Sequence, residues 1–494
     1  MPLVHRVLSP HPITSLDEYL GRGGGVGLDN ARQVEPEALI DEIEASGLRG
    51  RGGAGFPTGR KWRTVAANRS ERVPTTVVVN GAEGEPGTYK DRTILQNDPY
   101  QVVEGAIIAA LAVGADQVVF ATKASFGPVV ERLRSAVGEF VAGDFAPGIE
   151  LTVFEGPDEY LYGEETALLE TIDGRYPFPR IAPPYRRGID EVVEGSGDVG
   201  TGSGLSAHVV MAGPGGDDDA PPTLVDNVET IANVARIIAR GASWFRTEGT
   251  DTSPGTVVVT ITGSTEQHGV GEVIMGTTLR EAIDLIGGGS LRGAPITAVM
   301  SGVSSAILPA SALDTPLTYE DMAAAGGGLG SAGYLVLTEA DDVVATAAGA
   351  SRFLAVESCG QCTPCKQDGL VLASSLDKLV RNQATERDLD TIRDRAATVA
   401  DGARCSIGLQ HQAIVTSLLE RFPEQVDGHL TGAADAHEPA LVAELRSIEG
   451  EVAVLDERHQ QKQPDWSYDA VDSGRSPADR FDEHRAPRAL DREP

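Results

Sequence analysis

The placement of four cysteines constrains this chain more than any other feature. Three stand together in Glu357-Ser358-Cys359-Gly360-Gln361-Cys362-Thr363-Pro364-Cys365, and Cys405 follows alone. Thiolates at i, i+3 and i+6 on one tight loop can each reach a different corner of an iron–sulfur cubane, leaving the last iron to a ligand from elsewhere. Cys405 is the remaining candidate, so the fold has to bring it back to the loop. A structural zinc would also accept four thiolates, although its usual sequence form is two separated C-x2-C pairs; unliganded reduced cysteines are the third reading. A secreted disulfide framework is excluded, because four cysteines among 494 residues are too few to staple a chain of this size.

That length corresponds to roughly three domains. Charge removes some partners: 41 Lys and Arg against 73 Asp and Glu leave a net charge of -32, which repels a phosphate backbone and an anionic membrane surface. Nucleic acid is therefore not an expected partner. The most apolar stretch, Val102 to Phe120, is interrupted by Glu104 and Asp116, and the N-terminus lacks the apolar core of a signal peptide. A cytoplasmic protein without direct membrane insertion is expected, associated with a membrane only through a complex.

Residue periodicity divides the chain. Residues 1–48 read as a helical segment around the cluster Gly21-Arg22-Gly23-Gly24-Gly25, which serves equally as a flexible turn or a functional loop. Strand-like and helical runs alternate from 49 to 253, predicting an α/β layer, with a Gly-, Ser- and Asp-rich loop over 190–222. A small α/β unit is expected at 254–337 and a helical domain carrying all four cysteines at 338–455. The tail 456–494 is charged and poor in apolar residues, so it reads as disordered or as a partner-binding arm.

Three polar motifs accompany the cysteines. Leu48-Arg49-Gly50-Arg51-Gly52-Gly53-Ala54-Gly55-Phe56-Pro57-Thr58-Gly59-Arg60-Lys61-Trp62 is dense enough in glycine for backbone N–H groups to approach a phosphate or a planar ring, with Lys61 to balance charge. It is not a Walker loop, since no Ser or Thr follows Lys61, and a structural turn is the alternative. Asn80-Gly81-Ala82-Glu83-Gly84-Glu85-Pro86-Gly87-Thr88-Tyr89-Lys90-Asp91-Arg92 follows a strand, and Tyr160-Leu161-Tyr162-Gly163-Glu164-Glu165-Thr166 is a second acidic cluster. Carboxylates at strand ends can accept hydrogen bonds from ribose hydroxyls or flavin N–H groups, or they can simply cap helices.

Together with Pro221-Pro222-Thr223-Leu224-Val225-Asp226-Asn227, these motifs occur in an order that resembles the NADH-binding flavoprotein subunit of respiratory complex I. Homologous diaphorase subunits serve NAD-linked formate dehydrogenases and hydrogenases, and the resemblance covers roughly residues 15–440. It implies an α/β fold: a Rossmann-like FMN domain, a small β-grasp-like (SLBB-type) domain, and a C-terminal helical bundle with one [4Fe–4S] cluster. By the same resemblance Gly50, Arg51, Gly52, Gly53, Ala54, Gly55, Phe56 and Lys61 form a flavin- and nucleotide-binding loop. Asn80, Glu83, Tyr160, Gly163, Glu164, Glu165, Val225, Asp226 and Asn227 stand around FMN. Phe56 and Glu85 position the nicotinamide of NAD(H), Tyr185 stacks on its adenine, and Cys359, Cys362, Cys365 and Cys405 hold the cluster.

No side chain is then required as a catalytic acid or nucleophile, because the cofactors carry the chemistry. The implied function is an NADH dehydrogenase (diaphorase) subunit, passing electrons to a thioredoxin-like [2Fe–2S] subunit and a larger iron–sulfur or catalytic subunit. Departures from the family pattern gather on the nucleotide side: Ala82 replaces an aspartate, Arg63-Thr64 replace Ser-Phe, and Ala182 replaces a lysine. They motivate a second reading, an electron relay without nucleotide turnover. Asn80-Gly81-Ala82-Glu83-Gly84-Glu85-Pro86 is also similar to the flavin-binding C subunit of Rnf-type ferredoxin:NAD oxidoreductases, which carries more cysteines than this chain.

Overall fold

A computed structural model describes residues 2–69, 74–180 and 222–482. Tyr185 and all but the last residue of the 190–222 loop lie outside the described residues. The first sheet contains β1 (Thr76–Gly81), β2 (Gln117–Lys123), β3 (Glu150–Gly156) and β4 (Thr223–Asn227). Continuous Val-rich runs such as Val77–Val79 are buried, as the strands of a helix-covered parallel sheet must be. All three pairings are parallel, in the order β3-β2-β1-β4. The chain steps outward from β1 to β3 and returns to the other side of β1, so its direction reverses between β1 and β4. At that reversal the C-terminal residues Asn80 and Asn227 are paired. Open α/β sheets take their ligands in the crevice outside such a point.

Four helices precede this sheet: α1 (Leu16–Gly21), α2 (Val26–Ala31), α3 (Pro36–Ser46) and α4 (Thr58–Ala67). Its layers are completed by α5 (Lys90–Asn97), α6 (Pro99–Val113), α7 (Gly127–Ala142), α8 (Glu165–Ile172), α9 (Val228–Arg240) and α10 (Ala242–Phe245). The expected boundary at 48 is not a packing boundary: Leu28, Leu39 and Ile43 share one core with Ile107, Val234 and Ile238. Buried Glu104 on α6 accepts the N–H groups of Gly25 at 2.8 Å and Leu28 at 2.9 Å, making the first glycine cluster a structural turn.

The second sheet holds β5 (Thr256–Gly263), β6 (Gly269–Ile274), β7 (Ile296–Ser301), β8 (Leu308–Pro309) and β9 (Gly333–Thr338), in the order β6-β5-β9-β7-β8. Its central β5–β9 pair is parallel and the flanking pairs are antiparallel, giving the β-grasp-like unit. Helix α11 (Leu279–Gly287) opens with a reciprocal Thr278–Glu281 capping box, and α12 (Tyr319–Ala324) follows.

Five helices then form the bundle: α13 (Val343–Glu357), α14 (Thr363–Val380), α15 (Glu386–Thr398), α16 (Ile407–Arg421) and α17 (Pro423–Thr431). Leu354, Leu372, Leu376, Ile414 and Leu418 fill its core.

Two expectations fail beyond it. Residues 338–455 are not helical to their end, because β10 (Leu445–Glu449) and β11 (Val452–Leu455) form an antiparallel hairpin. The tail 456–494 is not disordered throughout: 456–482 pack on the bundle, bury His459, Lys462 and Trp466, and end in α18 (Pro477–Asp482). Low average hydrophobicity misled here, since a few well-placed aromatic and basic anchors hold the segment. Residues 483–494 lie outside the described residues.

Candidate functional site

The glycine loop is a closed turn crossing the mouth of the β1/β4 crevice. Gly50 N–H donates to Phe56 O at 2.8 Å, and Thr58 N–H donates to Leu48 O at 2.9 Å as α4 begins. Gly55 sits at φ 63, where a Cβ would fall 2.4 Å from the Tyr319 ring. Only glycine fits there. Arg51 is buried and turned away from the cleft, donating from Nε to Thr256 O at 3.1 Å, while its backbone N–H donates to Thr230 Oγ1 at 2.8 Å. Gly52, Ala54 and Phe56 stay exposed, and Gly53 is half-buried. Gly52 lies directly over Asn227, whose Cβ is 3.2 Å from the position a Gly52 Cβ would take.

Beneath the loop the other motifs converge. The Lys61 ammonium donates to Val225 O and lies 3.2 Å from Glu165 and 3.8 Å from Asp226. Trp62 Nε1 donates to Asp226 at 2.8 Å, and burial pushes the Asp226 carboxyl up to about 6. Asn80 donates to Gly163 O at 2.9 Å, tying the end of β1 to the Tyr160–Glu165 segment. Glu83 points inward, accepting the backbone N–H of Asp91 at 3.0 Å and the guanidinium of Arg92 at 2.8 Å. Glu164 caps α8, accepting the N–H groups of Thr166 and Ala167 at 3.0 and 2.8 Å, so its helix-capping reading describes the geometry. Arg63 is held on the surface by Glu37, Asp41 and Glu44.

Glu85 occupies the junction of the two sheets. Its carboxylate accepts Tyr160 O–H at 2.6 Å and Val303 N–H at 2.6 Å. Loss of solvation outweighs these bonds and raises its carboxyl to about 7. Tyr160 in turn leads toward the cysteines: its ring meets Phe353 edge-on at 5.2 Å, and its backbone N–H donates to Glu357 at 3.2 Å. The segment carrying the acidic cluster also runs on to Pro179, which accepts a bond from Gln361 at 3.2 Å.

All four cysteines line one cavity, together with Pro179, Ser358, Ala403, Arg404 and Ile407. Among the described residues no three His, Cys, Asp or Glu side chains close on a single ion. Four thiols around one shared space are the donor set that a [4Fe–4S] cluster requires. Burial pushes the Cys359 and Cys405 thiols up and Cys365 to about 11. Ser358 Oγ lies 3.4 Å from Cys365 Sγ, and Gln361 Nε2 donates to Cys359 Sγ at 3.5 Å, contacts of the kind that tune cluster sulfurs.

Two family models match the chain: the Nuo51 FMN-binding domain over residues 43–236 and the iron–sulfur binding region of NADH-ubiquinone oxidoreductase F over 345–429. The F subunit of the NADH-quinone oxidoreductase of Aquifex aeolicus is 35% identical over 431 residues, covering 86% of this chain and 93% of the relative. This chain belongs to the family of NADH-quinone oxidoreductase F subunits. The NADP-reducing hydrogenase subunit HndC of Solidesulfovibrio fructosivorans is 34% identical, with 84% of this chain and 81% of the relative covered. Among solved structures, an NAD+-reducing [NiFe]-hydrogenase matches with a TM-score of 0.72 at 28% identity, over 87% of this chain and 68% of that one. Membership makes FMN and a [4Fe–4S] cluster the cofactors of this fold, and both halves of the site fit them. No described helix is long and apolar enough to cross a membrane.

This member of the NADH-quinone oxidoreductase family also contains a group that motif reading passed over. Lys90, buried beneath Asn227, donates to Asp91 at 2.7 Å and to Asn227 Oδ1 at 3.1 Å, and contacts Glu229 at 2.9 Å without hydrogen-bond alignment. Asn227 Nδ2 donates to Asp91 at 2.7 Å. Scarcity of lysine was the available signal, since Lys90 sits inside the Asn80–Arg92 motif of a chain whose cations are nearly all arginine.

Proposed function

We propose that this chain is the nucleotide-oxidising flavoprotein subunit of a larger redox complex, working between NAD(H), FMN and one [4Fe–4S] cluster. The observation that carries the reading is convergence: three separate motifs meet at the β1/β4 reversal, and the segment that closes that crevice ends against the four-cysteine cavity. FMN, when bound, supplies hydride acceptance from the nicotinamide and one-electron delivery onward. The exposed backbone of Gly52, Gly53 and Ala54 and the Lys61 ammonium would hold its phosphate and ring, with Asn80, Gly163, Glu165, Val225, Asp226 and Asn227 around them. Glu83, Arg51 and Glu164 act as positioning residues, fixing α5, the glycine loop and α8.

Phe56 and Glu85 would orient the nicotinamide nucleotide, with Tyr160 orienting Glu85 in turn. Cys359, Cys362, Cys365 and Cys405 would ligate the cluster. One cluster cannot complete a turnover alone, so a thioredoxin-like [2Fe–2S] subunit and a larger iron–sulfur or catalytic subunit are the expected partners, in a cytoplasmic or membrane-attached assembly. Anaerobic mixing of the holoprotein with NADH or NADPH tests the proposal: bleaching of the flavin absorbance supports it, and an unchanged oxidised spectrum with both nucleotides would leave only the relay reading.

A further inference from the structure

The match to the family's iron–sulfur region ends at residue 429, yet the chain continues and folds back over the cysteine loop. After the β10–β11 hairpin it passes along α13, where Arg352 donates to His459 O and Gln460 O at 3.0 and 2.9 Å. His459 and Lys462 then meet Glu357, the residue two before the first ligand, at 3.1 and 2.7 Å. Lys366 donates to Ala355 O, Ser358 O and Pro464 O, so one buried ammonium joins the C-terminal carbonyls of α13 to this segment. Trp466 Nε1 donates to Val356 O at 3.0 Å. Trp466 itself sits at φ 65, a left-handed conformation unfavourable for a bulky residue that persists only where its surroundings hold it.

The segment ends on the ligand loop. Ala478 N–H donates to Cys359 O at 2.9 Å, and Ser476 packs so closely on Gly360 that a Cβ there would fall 2.2 Å from it. Phe481 stacks on Tyr176 at 4.2 Å and lies 6.4 Å from Trp466, anchoring α18 to the flavin-side segment. Cys359 and Cys365, behind this clasp, are buried, whereas Cys362 and Cys405 are half-buried on the side where Arg404 donates to Gln361.

We propose that residues 457–482 are a clamp which holds the Cys359–Cys365 loop closed on its cluster, leaving the Cys362–Cys405 side as the exposed one. The inference rests on the proposed cluster and adds to it a retention device outside the matched family regions. Within the segment His459 and Lys462 act on Glu357 and Trp466 on the Val356 carbonyl, and Ala478 and Ser476 meet the ligand loop itself.

The experiment is the rate of iron release to a ferrous chelator from anaerobically reduced holoprotein, with FMN content measured in parallel. Ending the chain after Asp456 is expected to accelerate release at least about tenfold, and Phe481→Ala in the full chain about threefold, both with FMN retained. If the shortened chain fails to bind FMN, Phe481→Ala decides. Release within twofold of the unaltered protein in a variant that keeps its FMN would overturn the clamp. A full-length protein with FMN but without iron and sulfide would overturn the cluster reading itself, a result the release assay does not mimic.

Discussion

The Lys90 network offers the sharpest test of how the crevice floor is built. Replacing Lys90 by Met removes the ammonium that lies between Asp91 and Glu229, each within 3 Å. Asp91 then keeps Asn227 Nδ2 at 2.7 Å, and Glu229 keeps Val258 N–H at 2.8 Å and Arg51 at 3.9 Å. Removing one member of a buried ion network typically costs about 3–5 kcal/mol, because the partners stay buried without their charge. For a domain of this size each 1 kcal/mol moves Tm by about 2–4 °C, so flavin release on heating should come about 6–20 °C earlier.

The decisive comparison is the second substitution. Glu229→Gln alone should destabilise, since it deprives Lys90 of a counter-charge. In the Lys90→Met background the same change removes a carboxylate whose remaining ionic partner is Arg51 at 3.9 Å, so it should lower Tm less than it does in the native background, while Gln still accepts from Val258. Thermal scans following flavin fluorescence of all four proteins give the coupling directly. If Glu229→Gln lowers Tm equally in both backgrounds, the three groups are not an electrostatic unit and the reasoning fails.

Glu85→Gln should retain FMN but slow its reduction by NADH at saturating nucleotide; flavin loss with normal reduction would contradict the placement. Because the native Glu85 carboxyl is raised from its usual value to about 7, its ionisation opposes folding progressively as pH climbs from about 4.5 through 7. The Gln variant should therefore gain about 1–1.5 kcal/mol relative to wild type between pH 6 and 8, checked by denaturation at both pH values. Cys405→Ser should lower iron and sulfide per FMN without lowering FMN per chain, measured by metal and flavin analysis. Buried His411 hydrogen-bonds Ser351 at 2.6 Å, and burial drops its imidazole to about 3. Its neutral form is favoured in the fold, so stability present above pH 6.5 is lost on acidification. About 2 kcal/mol should disappear between pH 7 and 5, and His411→Gln should flatten that dependence.

What the sequence discloses follows the range over which its signals act. The three clustered cysteines announce themselves because one short loop carries three thiols at ligand spacing. The glycine loop does so because backbone approach demands glycine within a few residues. Roles that depend on which way a carboxylate turns are less visible. Glu83, Glu85, Glu164 and Glu165 look alike in sequence, yet one braces α5, one faces Tyr160, one caps α8 and one meets Lys61. Glu83 and Glu164 find their donors close by in the sequence, whereas Glu85 and Glu165 take theirs from Val303 and Lys61, far off in the chain, and only the fold shows which is which.

The C-terminal segment failed as a sequence reading for a different physical reason. Composition averages over residues, whereas ordering depends on whether a few of them find partners already fixed in place. Here the partners are the buried Glu357 carboxylate and the Val356 carbonyl at the end of α13. Lys366 alone reaches Ala355 O, Val356 O and Ser358 O, and Trp466 shares Val356 O with it. Lys366, on α14, meets most of that helix end, and the tail adds what is left: His459 and Lys462 for the buried Glu357 carboxylate and Trp466 for a second bond to Val356 O. The same composition that argues for disorder in isolation argues for docking once the buried Glu357 carboxylate and its need for a cation are known.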